Sequence, residues 1–79
     1  MNFVYSKAAQ KSIKSINEPN RSRIKYGIEH LPLGDIKKIQ GYDDMFRLRI
    51  GDYRVLFYID DETFFIAEIL PRGTVYKRI

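Results

Sequence analysis

Cysteine is absent from the 79 residues, so no disulfide can staple the chain and no thiolate can hold a metal. A single histidine, His30, leaves any zinc site to carboxylates, a poor donor set, and neither a metal nor a cofactor is expected. Long apolar runs are missing as well. The longest, Val55 to Ile59, is five residues, far short of the roughly 20 that span a bilayer. The first ten residues, MNFVYSKAAQ, lack the apolar core of a secretory signal. No membrane partner is therefore expected, and a cytoplasmic location is. Repeats, low-complexity segments and linkers are also lacking, so residues 1–79 should form one domain. A domain this small buries only about 60–65% of its unfolded surface and has a thin margin of stability.

What is present is 44% hydrophobic and 14% aromatic, the composition of a globular fold and not of a disordered one. Fourteen Lys and Arg against ten Asp and Glu give a net charge of +4. The excess favours polyanionic partners, but a modest total says less than its distribution.

The distribution is most informative in Met45 to Ile59, MFRLRIGDYRVLFYI. Phe46, Leu48 and Ile50 alternate with Arg47 and Arg49, the period of two that marks a half-buried strand. Gly51-Asp52 supplies a two-residue turn, and Tyr53 to Ile59 is apolar enough on both faces to be a central strand. With Gly51 and Asp52 as the loop, Ile50 faces Tyr53 and Arg49 faces Arg54. Like charges on facing positions repel, so the pair is tolerable where an anion lies above that face.

The remaining segments build a sheet and a helical layer. Asn2 to Tyr5 reads as a first strand, and Ser6 as the N-cap of a helix over Lys7 to Ile16 with an apolar stripe of Ala9, Ile13 and Ile16. Pro19 suits the first turn of a second helix, whose stripe is Ile24, Ile28 and Leu31. Gly27 weakens that helix and suggests close packing against the first. His30 falls at its end, where histidine commonly bonds the last carbonyls. Pro32 to Asp44 reads as a long polar loop carrying Lys37 and Lys38. Asp60-Asp61-Glu62 is a charged turn, and Thr63 to Leu70 a third consecutive strand ended by Pro71. The helical stripes must bury themselves on the sheet. The fold class is thus α+β, a small antiparallel sheet with two N-terminal helices packed on it, in the order β-α-α-β-β-β. Leu48, Val55, Phe57 and Ile66 should share one core with Ile13, Ile24 and Ile28.

The polar groups that stand out are Arg47, Arg49, Arg54 and Arg72, with Tyr76 shortly after. Arginine suits phosphate because its planar fork donates paired hydrogen bonds and keeps its charge. Tyrosine offers a ring for base stacking. Together on one sheet face they would suit single-stranded RNA, with Lys37, Lys38, Lys77 and Arg78 extending the basic surface. Equally, they can be surface arginines satisfied by Asp52, Glu68 and loop carboxylates.

The run RLRIGDYRVLFYI, followed by PRGTVYK after the next strand, resembles the RelE/ParE toxins of toxin–antitoxin pairs, and most of all their RelE branch. The resemblance covers the whole chain and is especially close over GDIKKIQGYDDMFRLRIGDYR. It implies a ribosome-dependent mRNA interferase that needs no metal, uses the RNA's own 2′-hydroxyl as nucleophile and leaves a cyclic phosphate. It further implies a RelB-like antitoxin as partner, mRNA in the ribosomal decoding site as substrate, and operator DNA reached through the antitoxin. Carried over, Arg54 is the arginine that holds the scissile phosphate, Arg72 the one that stabilises the leaving group, and Tyr76 the residue that stacks on the substrate nucleotide. Arg47 and Arg49 stand where some members carry two lysines. Arginine effectively cannot give up its proton, so Arg49 suits charge stabilisation and not general-base chemistry. The Glu/His acid–base pair of other members has no counterpart, since position 71 is proline. Two rival readings are a ParE-like toxin that poisons gyrase by binding, and a decayed toxin that acts only with its antitoxin in autoregulation. The ParE branch tends to lack the phosphate-site arginine and tyrosine.

Overall fold

The computed structural model describes residues 2–71. Its elements are β1 (Asn2–Tyr5), α1 (Lys7–Ser15), α2 (Asn20–Glu29), β2 (Asp35–Lys38), β3 (Met45–Ile50), β4 (Tyr53–Asp60) and β5 (Thr63–Pro71). The five strands form one sheet in the order β1-β5-β4-β3-β2. Neighbours are antiparallel except β1 and β5, which run parallel from Asn2 opposite Thr63 to Tyr5 opposite Ile66. Both helices cover one face of this sheet. None of the described helices is long and apolar enough to cross a membrane.

The core lies between the helices and that face. Ala9 and Ile16 of the first helical segment meet Ile24, Ile28 and Leu31 of the second over Leu48, Val55, Phe57, Phe64, Ile66 and Ile69. Ile13 is half-buried against the same cluster. The core expected from the alternation and the helical stripes is the one observed, with β5 contributing more of it than the sequence reading assigned.

Ser6 is an extended N-cap whose hydroxyl accepts a hydrogen bond from the Ala9 N–H at 3.0 Å. The same hydroxyl donates to the Ala67 carbonyl, and the Ser6 N–H donates to Ile66 O at 2.9 Å. Ala67 is the extra residue of a β-bulge: Leu56 faces Glu68 while the next residue, Phe57, faces Ile66. A bulge leaves a residue unpaired in the ladder. Here Ser6 supplies the missing partner and starts α1 at the same point.

Four features differ from the sequence reading. The long polar loop contains a strand, β2, which pairs with β3 from Asp35–Arg49 to Lys38–Phe46. It is an edge strand with one inward apolar residue, Ile36, and charges on the rest, the pattern that protects edges from aggregation. The order is therefore β-α-α-β-β-β-β. Second, Gly27 faces the sheet and not α1: a Cβ there would meet Ile50 Cδ1 at 2.5 Å and Leu48 Cδ2 at 3.9 Å. Third, Pro71 is the last residue of β5, opposite Tyr53. Fourth, Pro19 stands at the N-cap of α2, one residue ahead of the helix.

Candidate nucleic-acid interface

The Gly51-Asp52 turn forms as the sequence requires, with Gly51 at φ +55°, a conformation glycine adopts without steric cost. It fixes the register: Ile50 faces Tyr53, and Arg49 faces Arg54. Because successive side chains of a strand point to opposite faces, both arginines project from the sheet face that the helices leave open. Call this the outer face.

Four rows cross it. In the first, Asp35, Arg49, Arg54 and Leu70 lie side by side from β2 to β5. The second runs Lys37, Arg47, Leu56, Glu68. The third is Met45, Tyr58, Phe65 and then Val4 on β1. The fourth is Asp60, Thr63 and Asn2, and together the rows hold four cations and three carboxylates, with the cations gathered on β2 to β4. Lys38 is not among them. It faces Phe46, a core-side residue, so it projects on the opposite side from Lys37. Consecutive lysines of a strand cannot share a face.

The arginines have different surroundings. Arg49 is exposed and Arg54 half-buried. Among the described residues the ion pairs are Arg21–Glu18 and Arg47–Asp35, so neither Arg49 nor Arg54 belongs to one with Glu68. Asp35 faces Arg49 across the ladder, yet its carboxylate lies 3.8 Å from Arg47 Nη1, the diagonal neighbour. That contact is too long to satisfy the donor, and Arg47 Nη1 is buried with no hydrogen-bond partner. The Arg47 side chain is only 14% exposed, packed between Lys37 and Leu56. A buried, unsatisfied donor costs about 1–3 kcal/mol.

Arg72, Tyr76, Lys77 and Arg78 lie outside the described residues. His30 is structural: its Nδ1 lies 2.7 Å from the Tyr26 carbonyl and its ring stacks on Tyr26. On the helical side, burial pushes the Tyr5 hydroxyl pKa up, with a smaller push from the Glu29 carboxylate. Among the described residues no cluster of three or more His, Asp or Glu could hold a metal ion. Sequence reasoning placed Glu68 beside the arginines but did not single out Asp35 as an acidic member of the face. The alternation of Asp35, Ile36 and Lys37 would have revealed it, had so short a stretch been read as a strand.

Known proteins share this architecture. The model of the ParE toxin of the type II toxin–antitoxin system, parDE, matches residues 3–76. Toxin RelE3 of Methanocaldococcus jannaschii is 31% identical over 84 residues, covering 96% of both chains. A chain of the RelB–RelE antitoxin–toxin complex from Methanococcus jannaschii matches with a TM-score of 0.78 at 31% identity, over 96% of this chain and 98% of that one. The isolated RelE toxin of E. coli shares the fold, with a TM-score of 0.76 at 16% identity over 95% of this chain and 87% of its own. An α+β sheet with one helix-free, arginine-bearing face is thus the frame of a toxin–antitoxin toxin. The chain belongs to the RelE/ParE family of type II toxins. Within it, these relatives carry the name RelE, and the family model the name ParE.

Proposed function

We propose that this toxin is a ribosome-dependent endoribonuclease that cuts mRNA in the decoding site and so inhibits translation. The observation that carries the reading is the pairing of Arg49 with Arg54 on the open face. Two guanidinium groups on facing positions are costly in a hairpin that only has to be stable, and favourable under a shared phosphate. Arg54 holds the scissile phosphate. Arg49 stabilises the charge that develops as the 2′-hydroxyl attacks and the 5′-oxygen leaves. Lys37 and Arg47 hold the neighbouring backbone. Arg72, by the family resemblance, stabilises the leaving group, while Tyr76 stacks on the substrate and Lys77 and Arg78 extend the contact. No metal takes part, and the product is a 2′,3′-cyclic phosphate. The protein works in the cytoplasm under the control of a RelB-like antitoxin, as supported by its likeness to a toxin solved with RelB. The pair reaches operator DNA through that antitoxin.

The test is cleavage of a ribosome-programmed message mapped by primer extension. Wild type should cut in the presence of EDTA, and Arg54→Ala should lose about 10²–10³ in rate, the usual effect of removing one electrostatic contact to the transition state. The description of the matching family model favours one rival, a ParE-like toxin that poisons gyrase. Growth arrest through gyrase with no cut message would establish that rival instead.

A further inference from the structure

We propose that the outer face continues beyond the arginines as a base-stacking track, in which Tyr58 and Phe65 hold a nucleobase of the same single-stranded RNA. The inference rests on the RNA reading above and extends it to a second subsite. Tyr58 and Phe65 face each other on β4 and β5, with ring centroids 5.0 Å apart and planes 11° from parallel. They are not core residues. The buried cluster lies on the other side of the sheet and includes neither. Both rings are half-buried, and beside Phe65 stands Val4, 45% exposed. Between them opens a cleft of about 260 Å³, lined by Val4, Ser6, Tyr58, Phe65, Ile66 and Ala67.

The occupant follows from what shares the face. Tyr58 is four residues from Arg54 on β4, about 13 Å at the usual rise of a strand. The row between them carries Lys37 and Arg47. A strand of RNA laid along β4 would therefore meet arginine, then a further cationic row, then an aromatic pair. The four cations outnumber the three carboxylates of the face and gather on β2 to β4, which favours a polyanion there. Aromatic rings on an open sheet bind bases of any sequence, because every base has a π-face. A peptide would use the apolar cleft but would leave the paired guanidinium groups to its acidic side chains alone. RNA satisfies both halves of the face.

The experiment measures binding of fluorescent 2′-O-methyl oligonucleotides, whose blocked 2′-oxygen prevents cleavage, to wild type, Tyr58→Phe, Tyr58→Leu and Phe65→Leu. A hexanucleotide should bind wild type and Tyr58→Phe alike, and Tyr58→Leu at least about tenfold more weakly, the effect of losing one stacked base. A dinucleotide, too short to reach from Arg54 to Tyr58, should bind all four alike. In wild type, a 4-thiouridine placed toward one end of the hexanucleotide should crosslink to Tyr58 or Phe65, a readout that needs no variant to fold. Equal hexanucleotide affinity for Tyr58→Leu, or crosslinks confined to other strands, overturns the track. So does a Tyr58→Leu protein that keeps RNA but loses a protein partner, which would make the cleft a peptide dock. Wild type that binds no hexanucleotide, or binds it unchanged after Arg49→Ala and Arg54→Ala, also overturns the track, whereas the RNA reading itself falls only if a ribosome-programmed message is left uncut.

Discussion

Ser6 links two parts of the chain 61 residues apart, and its removal has a calculable cost. Its hydroxyl caps α1 through Ala9 N and donates to the bulge carbonyl of Ala67. Loss of a serine cap typically costs about 1 kcal/mol. The bond to Ala67 is exposed, so water can replace the hydroxyl, and its net worth is about 0.5–1.5 kcal/mol. Ser6→Ala should therefore lose about 1.5–2.5 kcal/mol. For a domain of this size that is roughly 6–20 °C in Tm. The two roles separate in Ser6→Asp, which caps equally well but presents a carboxylate, and no donor, to Ala67 O. Ser6→Asp should fall between wild type and Ser6→Ala in thermal melts followed by circular dichroism. A Ser6→Ala protein melting within about 2 °C of wild type would refute the bridging role.

Other substitutions test the packing and the charge assignments. Phe57 is 1% exposed between Phe46 and Phe64, so Phe57→Ala should cost about 3–5 kcal/mol in urea unfolding, enough to unfold much of the population. Gly27→Ala should fail to give the helical gain of about 1 kcal/mol, because the new Cβ meets Ile50 Cδ1. In the Ile50→Val background, which lacks that atom, the gain from Gly27→Ala should reappear in the same unfolding assay. The Ser22 hydroxyl and the Ser22 N–H, helped by Arg21, hold the Glu18 carboxyl below its ordinary value. A lowered carboxylate stabilises the fold above its unfolded pKa, and that contribution is lost as pH falls through the folded value. Glu18→Gln should accordingly flatten the acid limb of a stability–pH curve, and an unchanged limb would show that the Glu18 carboxylate does not stabilise the first turn of α2 through Ser22.

The hairpin was legible because three signals agreed: alternation in β3, a glycine at the turn, and apolar content on both faces of β4. Its register then followed by counting, and with it the facing of Arg49 and Arg54. The helical stripes were legible for the same reason of period. β2 was not, since a four-residue edge strand buries little more than Ile36 and leaves hardly any periodic signal. Missing the strand also misplaced Lys38, whose face is decided only by pleating. Gly27 was read against the nearer element in sequence, α1, whereas its close neighbour is Ile50, which only the fold brings near. The parallel pairing of β1 with β5 and the bulge at Ala67 left no local mark, because both depend on contacts between the two ends of the described chain.

That parallel pairing orders events in time. Among the described residues β1 is an edge strand, with β5 as its one neighbour in the sheet. Translation delivers the chain from its N-terminus, so residues 2–5 wait without a partner until residues 63–66 have been made. The cap of α1 waits as well, since the Ser6 hydroxyl and N–H are tied to Ala67 and Ile66. Local helix and hairpin contacts can form early, but the closing contact is among the most distant in sequence and comes last. The nascent toxin therefore stays incomplete through nearly all of its own synthesis. The sheet is closed only when the two ends of the described chain meet, so the last contact made in synthesis is also the one that completes the fold.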